Sequence, residues 1–158
     1  MRTVCRDANV FNALFGNETG REACARIEKA ARDGTVEIYT STVTFVECIK
    51  IKGKRVDLKP EHEEIIRKYF QHKFIKPINC DRKIAELSRA LIWQHSHLKP
   101  YDAIHVASAI SQQVDVLHSY DNDDLVKLDG KIGKPPLKIC YPENDEGFAE
   151  PPNPETLL

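Results

Sequence analysis

Long apolar runs are missing from this 158-residue chain, and so is any organised cysteine pattern. No apolar stretch approaches the ~18 residues of a membrane span, and no charged-then-apolar leader opens the chain. Both absences disfavour insertion and secretion, so a cytoplasmic protein is expected. Cys5, Cys24, Cys48, Cys80 and Cys140 are scattered, odd in number and never spaced as CxxC. Neither a zinc site nor a disulfide framework is indicated, and the thiols are expected to be reduced and mostly buried. A strong charge of either sign is also missing. The formal net charge is −1, but Glu143, Asp145, Glu146, Glu150 and Glu155 sit in a stretch from Pro142 onward without Lys or Arg, leaving the rest at +4. That is a mild hint of an anionic partner.

What is present alternates between two periodicities. "RTVCRDANVF" opens with β-prone residues and reads as a strand ending at Asp7, followed by a short helix over Asn9 to Phe15. Thr19 stands three residues before Glu22, a capping box opening a helix that Gly34 closes. "TVEIYTS" is a second strand, and Ser41 or Thr42 caps a helix through "TVTFVECIKI", placing Glu47 about one and a half turns along it. Pro60 begins the next helix, and "FIKPIN" forms a third strand that Pro77 assigns to a sheet edge. Asp81 caps a helix with Ile84, Leu87, Leu91 and Ile92 inward, and in so apolar a helix Trp93 reads as core rather than as a base-stacking platform. Pro100 suits the first turn of another, "YDAIHVASAI", carrying Asp102. "VDVLHSY" is a buried strand, and "PLKICY" supplies a fifth. Short strands alternating with helices imply an α/β fold: an α/β/α sandwich with a mostly parallel sheet of about five strands, over residues 1–142. Residues 143–158 read as an acidic, proline-rich tail with little to bury, whose removal should spare the fold.

In open α/β sheets, ligands bind at the carboxyl ends of the strands. Asp7 ends the first strand, Asp121 follows the fourth, Asp102 opens the helix feeding it, and Glu47 lies in the helix leaving the second. Taken singly, Asp102 is favoured by the helix dipole and Asp121 with Asn122 is ordinary turn chemistry. Their joint placement at one rim is different, because close like charges repel by several kcal/mol and call for a cation or for raised pKa values. Oxygen ligands without Cys or His favour Mg²⁺ or Mn²⁺. His95 and His97 read as cations near a helix C-terminus, and His105 as a packed helical histidine.

The segments "DANVF" from Asp7, "STVTFVE" ending at Glu47, "YDAIHVASA" around Asp102 and "VDVLHSYDNDDLVKL" around Asp121 resemble the successive motifs of the PIN domain, the fold of the VapC-type toxins, over about residues 3 to 141. The resemblance implies that Asp7, Glu47, Asp102 and Asp121 bind Mg²⁺ or Mn²⁺ and support endonucleolytic cleavage of single-stranded RNA. It also implies a small antitoxin protein as partner and a homodimer. Asp123 stands as a possible further ligand, with Asp124 unassigned. Asn9, Ser41 and Ser119 are candidates for orienting the water or a phosphate oxygen. Lys50, Lys52, Lys54 and Arg55, beginning one turn past Glu47, are candidates for backbone contacts to RNA. Arg6 departs from the family's apolar residue before the first aspartate, and its guanidinium is expected to pair with a carboxylate or reach a phosphate. Two alternatives stand beside this reading. The haloacid dehalogenase pattern D-x-D-x-T fails at Asn9 and Phe11, whereas a non-catalytic PIN-fold module binding RNA or protein remains open.

Overall fold

The computed structural model describes residues 1–16, 20–51 and 57–148. Five parallel strands, β1 (Arg2–Arg6), β2 (Val36–Ser41), β3 (Ile75–Ile78), β4 (Val116–His118) and β5 (Lys138–Cys140), form one sheet in the order β3-β2-β1-β4-β5. Pro77, which has no N–H for a ladder, therefore sits in an edge strand as its chemistry requires. The helices are α1 (Ala8–Gly16), α2 (Arg21–Arg32), α3 (Val43–Glu47), α4 (Pro60–Phe70), α5 (Arg82–Gln94) and α6 (Pro100–Gln112).

Alternation along the strands feeds two separate cores. Val4, Ile38, Val116 and Cys140 point to one face, against Phe11 of α1, Ile27 of α2 and Ile66 of α4. Cys5, Leu117 and Ile139 point to the other, against Ile84 and Leu91 of α5 and Val106 of α6. Burying a side chain such as Phe11 or Leu117, both fully inaccessible, contributes roughly 1.5–3 kcal/mol. Both strand centres and both helical layers are thus fixed by one alternating pattern.

Several expectations need correction. The helix after β2 stops at Glu47 rather than running on through Ile51, since Cys48 leaves helical geometry at φ −88 and ψ 81. Thr19 lies outside the described residues, and Gly20, at φ 91, is the residue that precedes α2. Trp93 is not in the core: it is 86% exposed. Finally, the chain from Glu143 to Phe148 is not a loose appendage. Asp145 is buried, accepting hydrogen bonds from Arg2 and from His118 Nε2, the latter at 2.7 Å. Phe148 packs near the His118 ring and under the Arg2 guanidinium, and a Cβ at Gly147 would collide with that guanidinium.

Candidate metal centre at the strand ends

Pro100 supplies the first helical position of α6 and Lys99 the extended residue before it, which puts Asp102 in the first turn. A helix start ordinarily holds a carboxyl pKa down. That of Asp102 is raised instead, first by burial and then by the charge of Asp121, with Asp124 and Glu47 adding to it. Burial and the neighbouring carboxylates thus both disfavour the charged form of Asp102.

Asp121 reaches it from the loop after β4. Ser119 Oγ accepts from the Asp121 amide at 2.9 Å, and Asp121 Oδ1 accepts from the Asp124 amide at 2.9 Å. This side-chain-to-backbone turn folds Asp124 back over the same spot. One carboxylate oxygen from each of Asp102, Asp121 and Asp124 lies within 4.8 Å of the others. Asp123 is exposed and stays outside this triple, so the further acid is Asp124 rather than Asp123. An Asp-x-x-Asp spacing, with the first side chain capping the fourth amide, was the signal for it. Two residues of the α5–α6 loop steady Asp124: His97 Nε2 donates to its carbonyl at 3.2 Å, and Lys99 Nζ stands 3.7 Å from its carboxylate.

Asp7 and Glu47 border the triple without joining it. Asp7 is almost fully buried, and its pKa is pushed up to about 6, chiefly by burial and further by Asp102, against the pull of His105, Ser119 and the Val10 amide. Glu47 Oε1 accepts from His105 Nε2 at 2.7 Å. His105 is 1% exposed, one turn past Asp102, and its Nδ1 has no partner among the described residues. It ties the end of α3 to α6. His105 is the packed helical histidine expected, and its three-residue spacing from Asp102 also puts it on the helix face that meets Glu47.

The other candidates are less central. Ser119 is buried and hydrogen-bonds to Asp7, so it braces the site. Asn9 Oδ1 accepts from the Tyr120 amide at 3.0 Å, and Ser41 Oγ accepts from the Val43 amide at 3.3 Å. Both oxygens serve the backbone. Lys50 is half-buried three residues beyond Glu47; Lys52, Lys54 and Arg55 lie outside the described residues. Among the described residues Arg6 neither pairs with a carboxylate nor reaches the rim. Next to Cys5 in β1 it faces the opposite side of the sheet, fully buried, donating to the Cys24 carbonyl at 3.0 Å and lying 5.9 Å from the Phe11 ring centre.

A second group of possible ligands, His118, Cys140 and Asp145, is also close-packed and is wholly buried. Its charges are already balanced, however, because Arg2 pairs with Asp145. The His118 pKa is lowered, chiefly by burial and further by Arg6 and Arg2, against the pull of Asp145. The all-oxygen set of Asp102, Asp121 and Asp124 suits a hard cation such as Mg²⁺.

Comparison with known proteins agrees with this architecture. The chain resembles a toxin–antitoxin complex from Klebsiella pneumoniae, at 24% identity and a TM-score of 0.60, covering 88% of this chain and 97% of that one. It also resembles VapC20 of Mycobacterium tuberculosis, described as a sarcin-ricin loop cleaving toxin, at 12% identity and 0.60 over 76% and 91%. VapBC2 from Rickettsia felis, bound to a promoter DNA fragment, follows at 14% identity and 0.61 over 88% and 98%. None of the curated protein sequences matches the chain. The family model for the PIN domain matches residues 4–131, which takes in most of β1, all of β2, β3 and β4 and all the acidic residues of the rim, and the chain belongs to the PIN domain family.

Proposed function

We propose that the protein is a Mg²⁺- or Mn²⁺-dependent endoribonuclease acting on single-stranded RNA, and the toxin of a toxin–antitoxin pair. The observation that carries this reading is the convergence of Asp102, Asp121 and Asp124 within 4.8 Å, with Asp7 and Glu47 at their border. These carboxylates would hold the ion, with Asp102, Asp121 and Asp124 as the direct donors. A bound divalent ion supplies a water of lowered pKa and neutralises charge developing on the phosphodiester. The chain's own groups set the stage for that chemistry. His105 fixes the direction of Glu47, and the turn at Asp121 fixes Asp124. Ser119 holds the Asp7 carboxyl at the border of the triple. No protein nucleophile is required.

The likeness to the Klebsiella toxin–antitoxin complex and to the Rickettsia VapBC2 assembly supports an antitoxin partner, and the homodimer belongs to the same reading. No helix of the described residues is long and apolar enough to cross a membrane. The test is cleavage of a labelled single-stranded RNA in chelator, Mg²⁺ or Mn²⁺. Cleavage should need the metal, and Asp121→Asn should lower the rate by about a hundred-fold or more. Metal-independent cutting, or an Asp121→Asn protein as active as the wild type, would remove the reading.

A further inference from the structure

The outer face of α5 is used by nothing described so far. Ile84, Ser88 and Leu91 turn this helix into the core. At about 100° per residue, Trp93 emerges on the opposite side. It is the chain's one tryptophan, and it stands 86% exposed. Arg89, one turn earlier on the same exposed stripe, forms with Ala90, Trp93 and Gln94 a shallow pocket of about 430 Å³.

This stripe leads to the acidic cluster. The loop after α5 touches Asp124 through His97 and approaches it through Lys99. Four residues of chain span at most about 14 Å, so the Trp93 backbone lies within that reach of His97. On the far side of the loop Tyr101, 49% exposed, directly precedes Asp102. Between Arg82 and Tyr101 the sequence holds Arg82, Lys83, Arg89 and Lys99 against the single acid Glu86.

We propose that this α5–α6 rim binds unpaired bases of single-stranded RNA, with Trp93 and Tyr101 as stacking platforms and Arg89 and Lys99 on the phosphates. The inference rests on the RNA-cleaving reading and names where the strand enters. Every base has a π-face, so an open indole among cations gives affinity for single strands without demanding a sequence. A duplex hides those faces. A second copy of the chain fits the stripe less well, because helix pairing needs an apolar band and the residues beside Trp93 at this spacing are Arg82, Glu86 and Arg89.

As the one tryptophan, Trp93 reports its own contacts. Metal-free protein titrated with a single-stranded RNA oligonucleotide should show quenched tryptophan emission, and the matched duplex should quench far less. By polarisation of labelled RNA, Trp93→Ala should bind about ten-fold more weakly, Trp93→Phe should recover part of the loss, and both should keep the wild-type melting temperature. Unchanged emission at RNA saturation would overturn the proposal, as would wild-type affinity in Trp93→Ala. An emission change that follows protein concentration without RNA, in step with the sedimenting mass, would assign the face to a second copy and equally overturn it. Quenching by an RNA that the metal-loaded protein does not cut would remove the nuclease reading alone; cutting that is indifferent to Trp93 would remove this one alone.

Discussion

One strand end serves two opposite purposes. His118 and Ser119 are neighbours at the end of β4, yet pleating sends them to different faces. His118 enters the α1 and α2 side and closes a buried clasp with Asp145 and Arg2. Ser119 turns toward Asp7 and the acidic triple. Both places set buried carboxylate chemistry beside a histidine, one carboxylate in the clasp and several at the rim. In the clasp the charges are matched: burial would raise the Asp145 pKa, but hydrogen bonds from His118 and Arg2 outweigh it and hold the carboxyl well below its ordinary range. At the rim they are unmatched, and Asp102 and Asp7 are held above theirs. Matched charge makes a structural joint, while the buried, crowded carboxylates of the rim cost stability in the metal-free protein.

Breaking the clasp should cost most. Asp145→Ala strands the buried His118 and leaves Arg2 unpaired, and we expect a loss of about 3–5 kcal/mol in chemical denaturation. Cutting the chain before Asp145 should do the same; an unchanged midpoint would mean that the segment is not docked.

This joint shows where sequence reading stops. Asp145 and its partners Arg2 and His118 are far apart along the chain, and an acidic, proline-rich composition carries no sign that one carboxylate is buried. The sheet was legible because short β-branched runs and Pro77 report local geometry. The rim acids were legible because topology alone brings strand ends together. Asp124 was not separated from Asp123, since the choice depends on a turn in which Asp121 caps the fourth amide. Trp93 was misplaced although its spacing from Leu91 turns it about 200° from the buried stripe; its apolar character outweighed the period.

A second contrast appears on titration. The folded Asp7 pKa, raised from 3.8 to about 6, means the native state binds the extra proton, so this group's stability is full below 3.8 and lost as pH rises through about 6. At 1.36 kcal/mol per unit the difference is worth up to about 3 kcal/mol. His118 acts the other way: its lowered pKa makes the unfolded chain bind the extra proton, so stability falls as pH drops below about 6.5. Melting curves at pH 7 and pH 5 in chelator separate them. Asp7→Asn should be more stable than wild type at pH 7 and should lose stability more steeply on acidification, whereas His118→Gln should lose less. Parallel pH profiles for all three proteins would contradict both assignments.

His105→Ala leaves the half-buried Glu47 without its partner and should cost about 1–3 kcal/mol. Its sharper signature is catalytic. Cleavage should fall with little change in RNA affinity, and His105→Gln should restore part of it. A loss of RNA affinity with an unchanged turnover would show that His105 does not orient the site.

The smallest stability change is also the most telling. Asp102→Asn should leave the metal-free protein as stable as wild type or slightly more so, because it takes one charge out of a repelling set. A purely structural helix-start aspartate would lose about 0.3–1 kcal/mol instead. The direct measurement is the melting temperature of wild type and Asp102→Asn in chelator and in Mn²⁺. A ligand at a hundred times its dissociation constant adds about 2.7 kcal/mol, roughly 5–10 °C for a domain of this size. We expect wild type to gain that much in Mn²⁺ and the variant to gain little; equal gains in both, or none in either, would contradict a metal centre at Asp102, Asp121 and Asp124.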